Sequence, residues 1–335
     1  MITARELRTI ATSLARNDYL RRTRGQREWL HFCVAAPGVD LAVNLSLVHD
    51  ARTASERVRL TMLARAGGRW EGDVDDLAPE QLHLRGGDVF AAWPGGRIEL
   101  RDGRFAIVAR LARRPLAVAL TIAPRTLPSL ATNARIGAGT IGWLVVPRAI
   151  AAGTIEVAGD VRSVTAAPAY HDHNWGRFEH RDVAWQWGHA QDGDASAVLA
   201  RLTDPGETTT YSQVLMLWHG LHPSRVFRGD ELSLEREGLL RAPRVFVVPR
   251  VATAIARAAS DVPRRLHLRA RGDGDEVHGV FEAEDVARIV VPDDHGLGAT
   301  AIHEVVGTLA LTGHVRGAPV ALTGRGMFEL VGRLA

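Results

Sequence analysis

The chain of 335 residues contains no lysine, so all 41 of its basic residues are arginines. An amine-bearing side chain is required both for Schiff-base chemistry and for the phosphate-binding P-loop. Enzymes of both classes are therefore excluded.

The 38 acidic residues nearly balance the arginines, which are scattered along the chain rather than grouped with aromatic residues. This pattern predicts that the protein has no nucleic-acid partner.

Cysteine is almost as scarce, because Cys33 is the only one in the sequence. A single cysteine excludes an intramolecular disulfide, a thiolate zinc site and an iron–sulfur cluster. Cys33 lies in the apolar run HFCVAA. Such a position is typical of a buried, unreactive thiol.

Long apolar runs are also missing. No stretch approaches the roughly 18 apolar residues that indicate a membrane span, and the first residues lack the apolar core of a secretory signal peptide. We therefore expect a cytoplasmic protein without stable membrane insertion. Transient contact with anionic lipid headgroups remains open, because basic side chains cluster near the N-terminus. These are Arg21, Arg22, Arg24 and Arg27. The sequence does not indicate the oligomeric state.

Short β-strands are what the sequence has in abundance. From about residue 28 onward, runs rich in Val, Ile, Leu, Thr and Trp alternate with turn residues such as Asp102-Gly103 and Asp273-Gly274. These pairs supply the positive φ angles that tight hairpins require. Strands of this length joined by such turns predict antiparallel β-barrels or sandwiches.

The N-terminus is the exception to this strand pattern. Thr3 followed by Glu6 matches a capping box, and Ile10 and Leu14 recur at helical spacing, which predicts a short amphipathic helix. The rest of the chain divides into two strand-rich halves, with an Ala-, Gly- and Pro-rich segment near residue 160. We therefore predict a helical segment over 1–25, a first domain over 26–160 and a second domain over 161–335.

The most distinctive stretch is AYHDHNWGRF, residues 169–178. Side chains alternate between the two faces of an extended strand. One face then holds Tyr170, Asp172 and Asn174, whereas the other holds His171, His173 and Trp175.

Three interpretations of this stretch are open from its residues alone. The two histidines are spaced to share a metal ion with a third imidazole, from His180, His189 or His219. Alternatively, Asp172 beside Tyr170 forms an acid site, because an apolar environment would raise the pKa of the carboxyl group and let it donate a proton. Finally, the polar groups simply bond to one another within a sheet.

Resemblance to a known group of proteins favours the acid site. The segment YHDHNWG resembles the signature of the lipocalin-like superfamily that contains the carotenoid 1,2-hydratases (hydroxyneurosporene synthases) and the AttH-type proteins, with phytoalexin hydratases and Diels–Alderase-like pericyclases as relatives. The resemblance implies two consecutive lipocalin-like (calycin) antiparallel β-barrels, a ligand cavity, no metal and no redox cofactor. Further similar segments are REWLHF (27–32), GTIEVAGDV (153–161), WQWG (185–188) and GRGMFELVG (324–332).

The same resemblance implies a reaction and its residues. The superfamily's hydratases protonate a terminal isoprenoid C=C bond and capture the resulting cation with water. The matching catalytic positions in this chain are Tyr170 and Asp172. Trp143, in IGWLVVP, resembles the tryptophan of the superfamily's H-x-W segment, but Ile141 stands at the position of the histidine. The imidazole that would activate water is therefore absent from this segment.

A carbocation is stabilised by electron-rich aromatic faces, and indole offers the best of them. Alternation places two of the candidate tryptophans, Trp185 and Trp187, on one face. Asn174 is positioned to orient Asp172 or a water molecule. The predicted substrate-binding residues are Trp143, Asn174, Trp175, Trp185, Trp187, His171, His173 and Glu28.

These observations favour a cofactor-independent hydratase that acts on an apolar isoprenoid or polyene. A cyclase or pericyclase that closes a ring in such a substrate is the first alternative, because an apolar Ile141 would help to exclude water. The second is a non-catalytic carrier of lipid or pigment, in which Asp172 and Tyr170 only anchor the ligand.

Overall fold

A computed structural model describes residues 3–18, 20–21, 23–50, 53, 55–85, 89–241, 245–254, 262–293 and 298–334. This part of the chain holds one α-helix, 22 β-strands and four short 3-10 turns. The predicted all-β class is confirmed. The 3-10 turns span Pro79–Gln81, His180–Asp182, Gly229–Glu231 and Arg250–Ala254.

The N-terminal helix α1 spans Ala4–Asn17 and begins at the predicted capping box of Thr3 and Glu6. Its buried face packs against the hairpin turn at Gly103, where a Cβ atom would come within 2.8 Å of the Cβ of Ala11. Gly103 also has a φ of +71°, which favours glycine. The helix ends at Asn17, and the backbone N–H of its C-cap residue, Asp18, donates to the carbonyl oxygen of Leu14.

The first sheet has twelve strands that run in the order β4-β3-β2-β1-β12-β11-β9-β8-β7-β6-β5, with β10 paired to β11. The long strands β11 and β12 therefore lie near its middle. β12 pairs with β11 along one edge and with β1 along the other. The strands are β1 (Arg27–Ala36), β2 (Val39–His49), β3 (Glu56–Ala66), β4 (Arg69–Leu77), β5 (His83–Leu84), β6 (Phe90–Trp93), β7 (Gly96–Arg101), β8 (Arg104–Arg110), β9 (Leu116–Pro124), β10 (Ser129–Ile136), β11 (Gly139–Val157) and β12 (Asp160–Arg177).

The second sheet has ten strands in the order β16-β15-β14-β13-β22-β21-β20-β19-β17, with β18 paired in parallel to β20. An apolar core covers one of its faces and includes the stacked rings of Phe281 and Phe328. The strands are β13 (Ala184–Asp192), β14 (Ala195–Thr203), β15 (Thr210–His219), β16 (His222–Arg228), β17 (Leu232–Leu239), β18 (Phe246–Val248), β19 (Pro263–Gly272), β20 (Asp275–Pro292), β21 (Ala299–Val315) and β22 (Ala318–Arg333).

The chain forms two compact units, one made of 1–134 and 139–177 and the other of 135–138 and 178–335. The division after residue 177 differs from the boundary near residue 160 expected from composition. The reason is that β12 is hydrogen-bonded to both β1 and β11, so it belongs with the first unit throughout its length.

No helix in the described ranges is long and apolar enough to cross a membrane. Of the arginines considered for membrane contact, Arg27 is buried and Arg22 lies outside the described residues.

Candidate active site

The signature strand β12 is flanked on both sides, by β1 and by β11. Asp172 lies opposite His31 of β1 and Val145 of β11, and Asn174 lies opposite Trp143 of β11. Residues directly opposite in an antiparallel pair place their side chains on the same face of the sheet. We call this the Asp172 face.

Asp172 is held by its two neighbours on this face. The hydroxyl group of Tyr170 donates to Oδ2 of Asp172 at 2.8 Å, and Nδ2 of Asn174 donates to Oδ1 at 2.7 Å. The exposed fraction rises along the strand, from 0% for Tyr170 to 3% for Asp172 and 8% for Asn174. The predicted alternation is thus observed. The side chain of Asp172 is more deeply buried than that of Asn174.

An imidazole that sequence reasoning missed also lies on the Asp172 face. His31 forms hydrogen bonds through Nε2 with Sγ of Cys33 at 3.0 Å and through Nδ1 with Nδ2 of Asn44 at 3.3 Å. Burial, together with the charge of His171, lowers the pKa of His31 to about 3. His31 is therefore neutral at physiological pH. Only the pairing of β1 with β12 reveals its place, since the two strands are far apart in sequence.

The opposite face of β12 carries a different kind of network. Nε2 of His171 donates to Oδ2 of Asp18 at 2.7 Å, and Nδ1 of the same ring donates to the carbonyl oxygen of His31 at 3.0 Å. Both partners are acceptors, so both ring nitrogens carry hydrogen and the imidazole is charged. Asp18, which caps α1, is a second residue that sequence analysis did not identify.

His173 completes this network, which we call the histidine–carboxylate cluster (Asp18, Glu28, His171 and His173). Its Nε2 donates to Oε1 of Glu28 at 2.9 Å. Its Nδ1 lies 3.2 Å from Oδ1 of Asp18, an ion-pair contact without good hydrogen-bond geometry. The backbone N–H of Arg21 donates to the other oxygen of Glu28 at 2.7 Å.

Each charged group in the cluster stabilises the charged form of its neighbours. Burial alone would raise the pKa of Asp18, but the charges and hydrogen bonds of His171 and His173 hold it well below its usual range. Burial likewise opposes the charged form of His173, yet the hydrogen bonds and charges of Asp18 and Glu28 raise its pKa to about 9. Two imidazolium groups and two carboxylates therefore balance inside the protein.

This geometry answers the question of the H-x-H pair. All four ring nitrogens of His171 and His173 face a carboxylate or carbonyl oxygen, so none presents a lone pair to a metal ion. The described ranges contain no group of three or more His, Cys, Asp or Glu arranged to hold one. The proposed third ligands, His180, His189 and His219, belong to the second unit.

The tryptophans named from the sequence fall in three places. Trp143 is partly exposed and shares the Asp172 face. Trp175 lies on the other face, where its indole covers Gly142 and its ring centroid is 4.9 Å from that of His173. Gly142 is required there, because a Cβ atom would lie 2.3 Å from the indole.

Trp185 and Trp187 belong to the second unit and share a face of β13. The indole N–H of Trp185 donates to Oε1 of Glu329, and Trp187 lies directly opposite Glu329. The carboxyl group of Glu329 is in turn hydrogen-bonded to that of Glu304, and burial raises the pKa of Glu329. The sequence showed Glu329 only as part of the closing strand, and nothing in it pointed to Glu304.

Comparison with known proteins gives relatives by structure only. No protein-family model and no curated protein sequence matches the chain. Solved structures do match it over nearly its full length, including those of three different proteins. A protein assigned as AttH from Nitrosomonas europaea has 14% sequence identity, covers 96% of both chains and gives a TM-score of 0.67.

The other two structures are a hydratase and CghA. Kievitone hydratase from Nectria haematococca is 13% identical, with 91% of this chain and 88% of that chain covered and a TM-score of 0.61. CghA, in a structure with Sch210972, is 15% identical, with 92% and 88% covered and a TM-score of 0.62. At these identities the likeness establishes the fold. The chain therefore has the lipocalin-like fold of the AttH-type proteins, kievitone hydratase and CghA, as the signature of β12 predicted.

Proposed function

We propose that this protein is a cofactor-independent enzyme that protonates a C=C bond of an apolar isoprenoid or polyene and adds water to the resulting cation. The observation that carries the proposal is the buried carboxyl group of Asp172, with one donor on each of its oxygens. The shared fold with a protein named as a hydratase supports it.

The two donors favour the charged form of Asp172, so their contribution comes after the proton has left. When its proton moves to the alkene carbon, a negative charge develops on the carboxyl oxygens. The hydroxyl group of Tyr170 and the amide of Asn174 are already in place to stabilise that charge. The new carboxylate faces the carbocation, and the indole of Trp143 on the same face adds a second source of stabilisation.

Capture of the cation by water needs a group that accepts a proton. Ile141 removes the imidazole expected on β11, but the neutral His31 lies on the same face, directly across from Asp172 on β1. Cross-strand neighbours have Cβ atoms about 5 Å apart. We assign His31 the role of positioning the attacking water. Because its low pKa makes His31 a weak base, the carboxylate of Asp172, which has just given up its proton, accepts the proton that the water releases.

A cyclase is the second candidate, and the place of Ile141 favours it. Ile141 is buried on β11, two residues before Trp143 and on the same face. An apolar side chain there lowers the chance that water reaches a cation before a ring closes. A carrier would need neither the acid nor the imidazole.

The test is to incubate chelator-treated protein with lycopene, squalene and prenylated quinones in deuterated water and to follow the products by mass. A hydratase adds one water and one non-exchangeable deuterium at carbon. A proton-driven cyclase takes up deuterium without added water, a pericyclase gives an isomer without deuterium, and a carrier returns the ligand unchanged.

The variants that locate the chemistry are Asp172→Asn and His31→Gln, with Asp160→Asn as the exposed control on the same strand. We expect Asp172→Asn to lower the hydration rate by about 10²–10⁴-fold and His31→Gln to shift products from alcohol to alkene isomers. Full activity of Asp172→Asn would contradict the assignment of the acid.

A further inference from the structure

The second unit contains an acid of its own. Glu304 of β21 and Glu329 of β22 lie directly opposite each other, and their carboxyl groups are hydrogen-bonded. A hydrogen bond between two carboxyl groups requires that one of them keeps its proton, because two carboxylates at contact distance repel each other. We call these residues the glutamate pair.

Neither hydrogen-bond partner of Glu329 in the described part of the chain is positively charged. Its two partners are the indole N–H of Trp185 and the carboxyl group of Glu304. The apolar core of the second sheet lies on the other face, which carries Val305 and Phe328, the chain neighbours of the two glutamates. Burial raises the pKa of Glu329 and outweighs the hydrogen bonds of Trp185 and Glu304, which both lower it.

The pair is accessible from one side. Glu304 is 2% exposed, whereas Glu329 is partly exposed, as is Trp185. A reactant that approaches this face thus meets Glu329 before Glu304.

Aromatic rings lie near Glu329. Trp187 lies directly opposite Glu329, and its ring centroid is 5.4 Å from that of His189. The ring of Trp185 lies 5.8 Å from that of His180 and 6.5 Å from that of Phe178. Indole faces beside a carboxylic acid are the combination that alkene protonation requires, because the acid supplies the proton and the indoles stabilise the cation.

We propose that the glutamate pair is a second proton-donating site, which binds an apolar polyene against Trp185 and Trp187 and converts it to an isomer. The substrate class is that of the proposed function, but the acid is a different residue in a different unit. Asp172 and the glutamate pair are therefore tested independently.

The chemical step conserves all atoms. The O–H bond of the pair breaks while the π electrons of the substrate C=C form a new C–H bond. The cation then accepts the π electrons of a second C=C in the same molecule, which closes a ring. A proton leaves the carbon beside the resulting cation and returns to the pair, so the acid is restored and no oxidant, reductant or water is consumed.

The shared proton is measured first, by infrared spectroscopy of the full-length protein at pH 7. We expect a carboxylic-acid C=O band that shifts in deuterated water and is lost in Glu329→Gln, separate from the acid band of Asp172, which is lost only in Asp172→Asn. The Glu329 band should persist in Glu235→Gln, an exposed glutamate on β17 of the same unit, and in Asp172→Asn. Glu304→Gln is the second variant, and it should remove the same band. Wild-type and Glu329→Gln spectra with identical acid bands would overturn the proposal.

The chemistry is measured next, with squalene and lycopene in deuterated water. We expect the Asp172→Asn protein to form isomers that carry deuterium at carbon, and Glu329→Gln to lower this formation at least about 10²-fold. Isomer formation that survives Glu329→Gln and Glu304→Gln would overturn the glutamate pair, and so would a wild-type protein that leaves both polyenes unchanged or only hydrates them. Hydration that is lost in Asp172→Asn alone would leave the proposed function standing by itself.

Discussion

Each unit of this protein buries carboxyl groups in its sheet, but the two units hold them in opposite states of charge. In the histidine–carboxylate cluster, Asp18 and Glu28 face two imidazolium rings, and the pKa of Asp18 is lowered. In the glutamate pair, Glu329 faces an indole and a second acid, and its pKa is raised. Burial raises a carboxyl pKa in both places, and the partners lower it in both, but only the charged imidazoles of the cluster outweigh burial.

The difference also separates structural roles from chemical ones. The histidine–carboxylate cluster joins the C-terminal cap of α1 to β1 and β12, so its charges stabilise the strand that carries Asp172. A balanced ion network is suited to holding elements together, whereas a carboxyl group that keeps its proton is suited to giving it away. Four measurements test this contrast, from the largest expected effect to the smallest.

Asp18→Asn should have the largest effect on stability. It removes one carboxylate and leaves the charges of His171 and His173 partly uncompensated inside the protein. We expect a loss of about 3–5 kcal/mol in the free energy of unfolding, measured by urea denaturation. Asp160→Asn, at an exposed position, should change it by less than about 0.5 kcal/mol. Equal effects of the two variants would show that the cluster is not an ion network.

The pH dependence of stability should show the same network in the wild-type protein. The pKa of His173 is raised from 6.5 to about 9, so its contribution is complete below pH 6.5 and is lost as the pH rises towards 9. The pKa of Asp18 is lowered, so its contribution is complete above pH 3.8 and is lost only in stronger acid. Urea midpoints from pH 6.5 to 9 should fall more steeply in wild type than in Asp18→Asn. Parallel profiles would contradict the raised pKa of His173.

Glu329→Gln should act in the opposite direction. Because the pKa of Glu329 is raised, wild-type protein loses stability as the pH rises above about 4.5, the ordinary value for glutamate. The amide removes this titration, so the variant should gain on the order of 1 kcal/mol relative to wild type at pH 8. Denaturation at pH 5 and pH 8, with Glu235→Gln as control, measures the gain. A loss at pH 8 would mean that Glu329 is charged and paired.

Asp172→Asn should have the smallest effect on stability. The new amide still accepts the hydroxyl hydrogen of Tyr170, and Asn174 can rotate its own amide to present oxygen to the new N–H. We expect a change of no more than about 1 kcal/mol in either direction. A much larger loss would place Asp172 with the structural acids instead of the catalytic ones.

Some features of this site can be predicted from sequence patterns that involve only neighbouring residues. Alternation along β12 assigned Asp172 and the two histidines to opposite faces, and the capping box of Thr3 and Glu6 located the start of α1. Both features depend on residues only a few positions apart. By contrast, His31 and Asp18 contact residues of β12 that are 140 and 153 positions away in the chain, and no spacing rule connects them.

The sequence by itself determined the all-β class, the lipocalin-like signature and the face on which each residue of β12 lies, because these follow from side-chain alternation and short-range turn chemistry. Only the tertiary structure decided which groups are charged. It places Asp18 and Glu28 in contact with imidazoles. It places Glu304 in contact with Glu329, beside the tryptophans that the sequence analysis grouped with Asp172 as substrate-binding residues. The state of a buried acid depends on the neighbour that the fold brings to it, and strand pairing over long distances in the chain chooses that neighbour.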